Sequence, residues 1–280
     1  MSSRLHCAAR LRRQPAYAAL PILVAGIFSA PAAFAQTDDT KKSARGQAAA
    51  EAEAERSEST WGIGVAGDMQ YRVYRDFDNR VRGLPMITYE NKWIQVAGPG
   101  LDVKLPSLGP VSFRLRGRYA MEEFDSGDSP YFAGMRDRDS SFWVGGAAIW
   151  RSGIANLSAE VLTDAMSNSK GTRATLQIDR RFTPGPIGLT PRLAAEWVDS
   201  KYVDYYYGVR SDEAQSWRPA YSGSSSVNTE IGLRVDWQPV PKHTVFLDMG
   251  AKHMGSSIRN SPLVEKSTQY GVGLGYLYRF

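Results

Sequence analysis

The chain has 280 residues, 42% hydrophobic and 22% charged, with a formal net charge of +5 and a single cysteine. No apolar run beyond the N-terminus reaches the roughly 18 residues a membrane-spanning helix requires, which excludes a helical membrane bundle. One cysteine excludes a disulfide framework and a zinc-thiolate centre.

The N-terminus reads as a leader. Arg4, Arg10, Arg12 and Arg13 precede the apolar stretch AYAALPILVAGIFSA, and Ala33-Phe34-Ala35 before Gln36 has the small-x-small form of a cleavage site. A signal peptide over residues 1–35, cut between Ala35 and Gln36, is therefore expected; the run is short for an anchor and contains Pro21. The leader holds four of the 34 Lys and Arg residues and no acid, so the remaining chain nearly balances its 29 acidic residues at +1. The basicity thus belongs to the leader, and no nucleic-acid partner is expected. Cys7 leaves with it, consistent with an exported protein of a bacterial envelope.

Residues 36–59, QTDDTKKSARGQAAAEAEAERSES, hold no large apolar side chain. They cannot bury a core and are expected to form a flexible periplasmic tail. From Trp61 the pattern turns to period two, and residues 60–280 read as one domain. In VSFRLRGRY, Val111, Phe113, Leu115 and Tyr119 alternate with Ser112, Arg114, Arg116 and Arg118. Ala174, Leu176, Ile178 and Phe182 oppose Arg173, Thr175, Gln177, Asp179 and Arg181. Ile231, Leu233, Val235 and Trp237 oppose Glu230, Gly232, Arg234 and Asp236, and Val245, Leu247, Met249 and Ala251 oppose Asp248, Gly250 and Lys252. The chain closes on QYGVGLGYLYRF, with Tyr270, Val272, Leu274, Tyr276, Tyr278 and Phe280 on one face. Each segment is a strand with one apolar and one polar side.

A soluble antiparallel β-protein and a transmembrane barrel both give this pattern. The segments run about 9–11 residues, the length of a tilted membrane strand. Aromatics sit near their ends (Trp61, Trp93, Trp143, Trp150, Trp197, Trp237), as interfacial girdles do. Short connections at 90–91, 107–110, 151–153, 183–186 and 239–242 alternate with long polar loops at 75–80, 121–138, 167–171, 200–226 and 254–267. The alternation holds if VAGPGLDVKL splits at Gly98-Pro99. The predicted fold is all-β: a transmembrane antiparallel up-and-down barrel of about twelve strands, or ten if Gly98-Pro99 is only a bend. Its apolar face meets outer-membrane lipid. Tyr276, Tyr278 and Phe280 resemble the C-terminal signal that hands such barrels to the barrel assembly machinery.

Predicted inward positions carry both signs: Arg114, Arg116, Arg118, Arg173, Arg181, Arg192, Arg234 and Lys252 against Glu160, Asp179, Glu196, Glu230, Asp236 and Asp248. Opposite charges in a poorly hydrated interior must pair. They either brace the barrel or line a narrow polar pore whose row Arg114, Arg116, Arg118 favours anions. Only two histidines remain after the leader, His243 in a short turn and His253 beside Ser256 and Ser257, and no spaced cluster of metal ligands is present. Neither an enzyme nor a metal or other cofactor is expected.

The order of local motifs resembles the MipA/OmpV family of outer-membrane proteins (MltA-interacting protein and relatives), from Trp61 to Phe280. YRVYRDFDNRVRGLPMITYENKW is similar to the family's early hairpin, with Asp76 where a glycine is expected, and LTDAMSNSKG to its Asp-containing turn. YYGVRSDEAQSWRPAY supplies the loop motif Tyr206, Tyr207, Gly208, Val209, Glu213, Ala214 and Tyr221, and NSPLVEK the Ser-Pro-Leu-Val segment. That loop motif reads either as a recognition surface or as a plug packed into the barrel mouth. The resemblance implies a non-enzymatic scaffold in the outer membrane of a Gram-negative bacterium, joining a lytic transglycosylase to a bifunctional murein synthase. The alternative is a narrow pore for small polar or anionic solutes.

Overall fold

A computed structural model of the protein describes residues 59–280. The signal peptide with its Ala35/Gln36 boundary, and the tail up to residue 58, lie outside the described residues.

Twelve strands close into one antiparallel barrel: β1 (Thr60–Tyr71), β2 (Arg80–Glu90), β3 (Ile94–Ala97), β4 (Gly100–Lys104), β5 (Val111–Ala120), β6 (Ser141–Arg151), β7 (Asn156–Asp164), β8 (Thr172–Asp179), β9 (Ile187–Val198), β10 (Ser226–Trp237), β11 (His243–His253) and β12 (Thr268–Arg279). Each pairs with its sequence neighbours, and β1 pairs with β12 in the register Gly62↔Arg279 to Tyr71↔Tyr270. The terminal amide of Phe280 donates to Trp61 O at 3.0 Å. The aromatic end of the chain thus completes the wall and leaves no free edge there. A helix α1 (Ser200–Tyr207), a short helix α2 (Ser256–Arg259) and a 3₁₀ turn (Pro130–Phe132) lie in the long connections.

The period-two pattern fixes which face meets lipid. Ile63, Val65, Leu115, Leu176, Leu193, Ile231 and Leu274 stand exposed on the outside, while the intervening polar residues point inward. Trp61, Trp93, Trp150, Trp197 and Trp237 are exposed and belong to strand-end belts. Trp143 departs from the expected girdle: it is wholly buried, its ring tilted against that of Tyr202 at 5.8 Å and lying under Arg173 at 5.2 Å. Its parity on β6 is that of the inward residues Ser141 and Ala147. Asp76 takes a left-handed backbone, φ 49°, which aspartate tolerates better than most residues, so the early turn keeps the conformation a glycine would supply.

The wall splits at Gly98-Pro99, but the two strands there have only four and five residues. Gly98, at φ 54°, adopts a conformation open to glycine, and Pro99 removes a donor, so the chain turns back part-way up the barrel. This connection sits where the alternation calls for a long loop. It is a low hairpin: β2 runs on above it with no strand beside it, while β5 ends two residues beyond its pair with Gly100.

Candidate functional site: the capped, cross-braced lumen

The inward charges pair almost entirely with one another. Asp102, which the sequence reading did not single out, is the hub of the first group. Arg114 reaches it at 3.0 Å, Arg116 at 2.8 Å and Arg118 at 3.3 Å. Arg116 also holds Glu160 at 2.6 Å. In the second group Arg192 bridges Asp248 at 2.9 Å and Glu230 at 3.2 Å. Gly232 makes room for that guanidinium, since a Cβ there would lie 2.4 Å from Arg192 Cζ. Glu196 receives Arg173 at 2.9 Å and Lys252 at 3.0 Å. Nearer the short-turn end, Asp236 accepts from Arg181 at 2.7 Å and Arg234 at 2.9 Å. Asp179 has no ion pair among the described residues and accepts instead from Asn156 and Gln177.

At the long-loop end the loops pack into a cap with its own core. Val73, Tyr74, Phe124, Phe132, Tyr202, Val203, Tyr206, Tyr207, Ile258 and Leu263 are all buried. Phe124 and Phe132 lie 4.5 Å apart between centroids, and Tyr74 meets Phe132 edge-on at 5.5 Å. Such pairs contribute about 0.5–1.5 kcal/mol each beyond the area they bury. Helix α1 starts because the Asp199 carboxylate accepts from the Tyr202 amide. It turns Tyr202, Val203, Tyr206 and Tyr207 inward. At its end a Cβ on Gly208 would fall 2.2 Å from Asp204 O, so Gly208→Ala is expected to loosen α1, read as faster amide exchange over residues 200–209.

The tyrosine hydroxyls tie the cap's segments together. Tyr74 donates to Tyr206 O, Tyr206 to Asp139 O, Tyr221 to Ser257 O and Tyr202 to Glu122. Burial pushes the phenols of Tyr74, Tyr202, Tyr206 and Tyr207 up, so they remain neutral donors. Val209 pairs with Tyr221 across the loop, and Ala214 packs on the same core.

A buried ionic centre holds these parts in place. Glu213, 2% exposed, faces Arg138, whose side chain is 0% exposed, at 2.8 Å. Glu213 also accepts the amides of Arg136 and Arg210 at 3.1 Å each. Arg218 crosses beside it and donates to the carbonyls of Glu213, Ala133 and Tyr131. Burial alone would raise the Glu213 carboxyl, but the hydrogen bonds from Arg138 and the two amides outweigh it and hold it below its ordinary value. A lowered folded pKa contributes stability that is present above the ordinary carboxylate range and is lost as pH falls through the lowered value. Proteolysis of segments 131–139 and 205–221 is therefore expected to stay slow at neutral pH and to accelerate below about pH 4.

The four sequence segments that carry the family resemblance meet at this cap. Tyr74 of the first bridges Val264 of the last. Asp164, in LTDAMSNSKG, shapes its turn by accepting from the amides of Met166, Ser169 and Lys170, and Gly171 abuts Tyr202. Ser261 of NSPLVEK donates to Tyr207 O at 2.6 Å. Arg138 and Asp102 carried no signal in the sequence beyond a charge in a loop and a charge next to the Gly-Pro break.

The histidines stand apart from any nucleophile. His243 Nδ1 lies 2.7 Å from the Tyr276 hydroxyl and His253 Nδ1 3.2 Å from Thr268 Oγ1, while Ser257 is bonded to Ser224. No group of three or more potential metal ligands occurs among the described residues. Below the cap the lumen keeps two cavities. One, of about 220 Å³, lies among Arg116, Glu160, Arg173, Glu196 and Lys252. The other, of about 490 Å³, extends toward the short-turn end beside Arg181, Arg234, Asp236 and Arg279.

A closed strand barrel with a lipid-facing apolar band and a charged interior is an outer-membrane β-barrel protein. The family model described as MltA-interacting protein MipA matches residues 62–280, and the chain belongs to that family. It is 25% identical over 222 residues to YiaT of Escherichia coli K12, covering 78% of this chain and 90% of that protein. It is 24% identical over 228 residues to the MltA-interacting protein of the same strain, covering 80% and 92%. Omp26La of Vibrio anguillarum, an outer membrane protein, is 24% identical over 157 residues, covering 56% and 61%. Among solved structures, an outer membrane channel of Pseudomonas putida F1 aligns at 10% identity and TM-score 0.43, covering 79% of this chain and 95% of that one.

Proposed function

We propose that the protein is a non-enzymatic scaffold of the outer membrane that holds peptidoglycan synthesis and turnover enzymes. The observation that carries this reading is the closed lumen: a packed cap covers the long-loop end, and the charges beneath it pair across the interior. In a pore for anions, the row Arg114, Arg116 and Arg118 would stand free for solute, whereas all three converge on Asp102. The name of the MltA-interacting relative supports binding as the role, with a lytic transglycosylase and a bifunctional murein synthase as the partners. Both chain ends of the barrel and the short turns share one end, which would face the periplasm. Contact is therefore assigned to the tail 36–59 and to the turns at 107–110, 183–186 and 239–242.

The test is a cross-linked pull-down of the tagged mature protein from native envelopes, with a Δ36–59 version alongside. Recovery of both murein enzymes, lost on deletion, is the expected result. Recovery of neither by the full mature chain would overturn the scaffold.

A further inference from the structure

The low β3–β4 hairpin leaves the wall of the barrel without strand pairing above its tip, a side window between β2 and the end of β5. β2 is paired with β1 along its whole length, from Thr60↔Glu90 to Gln70↔Arg80, but with β3 only from Thr88 to Glu90. The last bond on that side runs from Gly98 N to Ile87 O at 3.2 Å. Backbone groups alternate in direction along a strand, so Pro85, Gly83 and Val81 direct theirs at the gap. Pro85 has no N–H to leave unpaired, the use of proline on an edge. Across the gap, Tyr119 N is bonded to Pro99 O at 3.1 Å, and β5 ends one residue later. Two strands are missing here, so at the hairpin tip the gap spans roughly 14 Å, three strand spacings. It is closed above where Arg82 reaches Glu123 at 2.6 Å and Met121 Sδ at 3.1 Å. Its outer rim carries Val81 and Ile87, both exposed on the lipid face. An open edge at this depth is stable only where it borders a wet cavity.

Both cavities reach the hairpin tip: the smaller touches Pro99, Tyr119 and Met121 on the β5 side, and the larger, which is amphipathic along its length, lies on the β2 side. Beside the window it is lined by Leu84, Pro85, Met86 and Pro99, with Phe246 and Leu277 deeper in. At the short-turn end it reaches Arg181, Arg234 and Arg279, grouped about one carboxylate, Asp236. Arg181 and Arg234 bond to it directly. Arg279 has no ion pair among the described residues and donates only to the Thr244 hydroxyl at 3.2 Å. Of the other acids that line the cavity, Glu90 is neutralised by Lys104 at 2.6 Å and Asp68 lies higher in the barrel opposite Arg82, so at the floor Arg279 is the guanidinium without a carboxylate bonded to it.

We infer that this cavity binds a single-chain amphipathic anion, its alkyl chain lying through the side window and its oxyanion head on Arg279 and the neighbouring guanidiniums. A hydrocarbon tail matches the Leu84–Met86 rim and passes to lipid without crossing the cap. A carboxylate or phosphate head matches the unneutralised arginine. This goes beyond a scaffold role and stands independently of it.

The test uses the full mature chain in nanodiscs of a zwitterionic phosphatidylcholine. The probe is a medium-chain alkyl carboxylate carrying a diazirine near its methyl end. Irradiation is expected to place adducts on Leu84, Met86 and Pro99. The same chain ending in ammonium should label these positions far less. The alkyl phosphate of equal length should displace the probe, and inorganic phosphate should not. Arg279→Gln, checked for the folded heat-modifiable form, should weaken labelling by about tenfold, the loss of one charge-assisted hydrogen bond. Adducts confined to outward residues such as Ile87 and Leu274 would reduce the observation to annular lipid and overturn the site. Equal labelling by the ammonium chain would overturn the assignment of the head, and displacement by inorganic phosphate alone would overturn the assignment of the tail.

Discussion

Glu213→Ala is expected to destabilise the cap by about 3–5 kcal/mol, the cost of leaving a buried charge without its partner. Arg138, with a side chain 0% exposed, would face an apolar side chain in place of a carboxylate. The amides of Arg136 and Arg210 would lose their acceptor as well. The barrel wall beneath does not depend on these contacts, so the variant should keep the heat-modifiable mobility of a folded barrel. Amide exchange over 131–139 and 205–221 should rise by orders of magnitude. Glu213→Gln preserves shape but keeps one acceptor oxygen, so it can hold only one of the two amides, which bond to different carboxylate oxygens; it should cost less than alanine. Unchanged exchange in Glu213→Ala would show that the aromatic core alone holds the cap.

Asp102→Ala acts on the wall itself. Three guanidiniums converge on one carboxylate that is 4% exposed. Only Arg116 keeps a second acid, Glu160. The loss should again be about 3–5 kcal/mol and appear as a lower unfolding temperature in detergent. Replacing Arg116 in the Asp102→Ala background should be markedly less harmful than in the natural chain, because the two changes remove the same interaction. Additive losses in that double variant would contradict an Asp102-centred network.

Much of this architecture is legible in the sequence because a barrel obeys a two-residue rule over its whole length. Leu176, Ile178, Asp179 and Arg181 announce their sides by parity alone, and Gly98-Pro99 marks a strand break. Parity says nothing of height, so the hairpin's low reach, and with it the window beside Pro85, stayed hidden. It also places Trp143 inward, but an aromatic near a strand end carries the competing signal of an interfacial belt. The cap is a different case. Helix α1 is short, and its local cues, Asp199 before the turn and Gly208 after it, sit in a loop rich in tyrosine. Arg138 and Glu213, 75 residues apart, are joined only by tertiary packing. The periodicity of neither segment foretells that contact. Asp102 shares the difficulty: it occupies a five-residue strand, too short to show alternation, beside a turn that reads as a loop.

A barrel capped at its long-loop end is expected to bind partners and not to conduct ions. Single-channel recording of the purified mature protein in a planar bilayer tests it most directly. No steady conductance is expected from the natural chain at neutral pH. Discrete, long-lived open levels, altered when Arg116 is reversed to glutamate, would contradict it and make the lumen a pore.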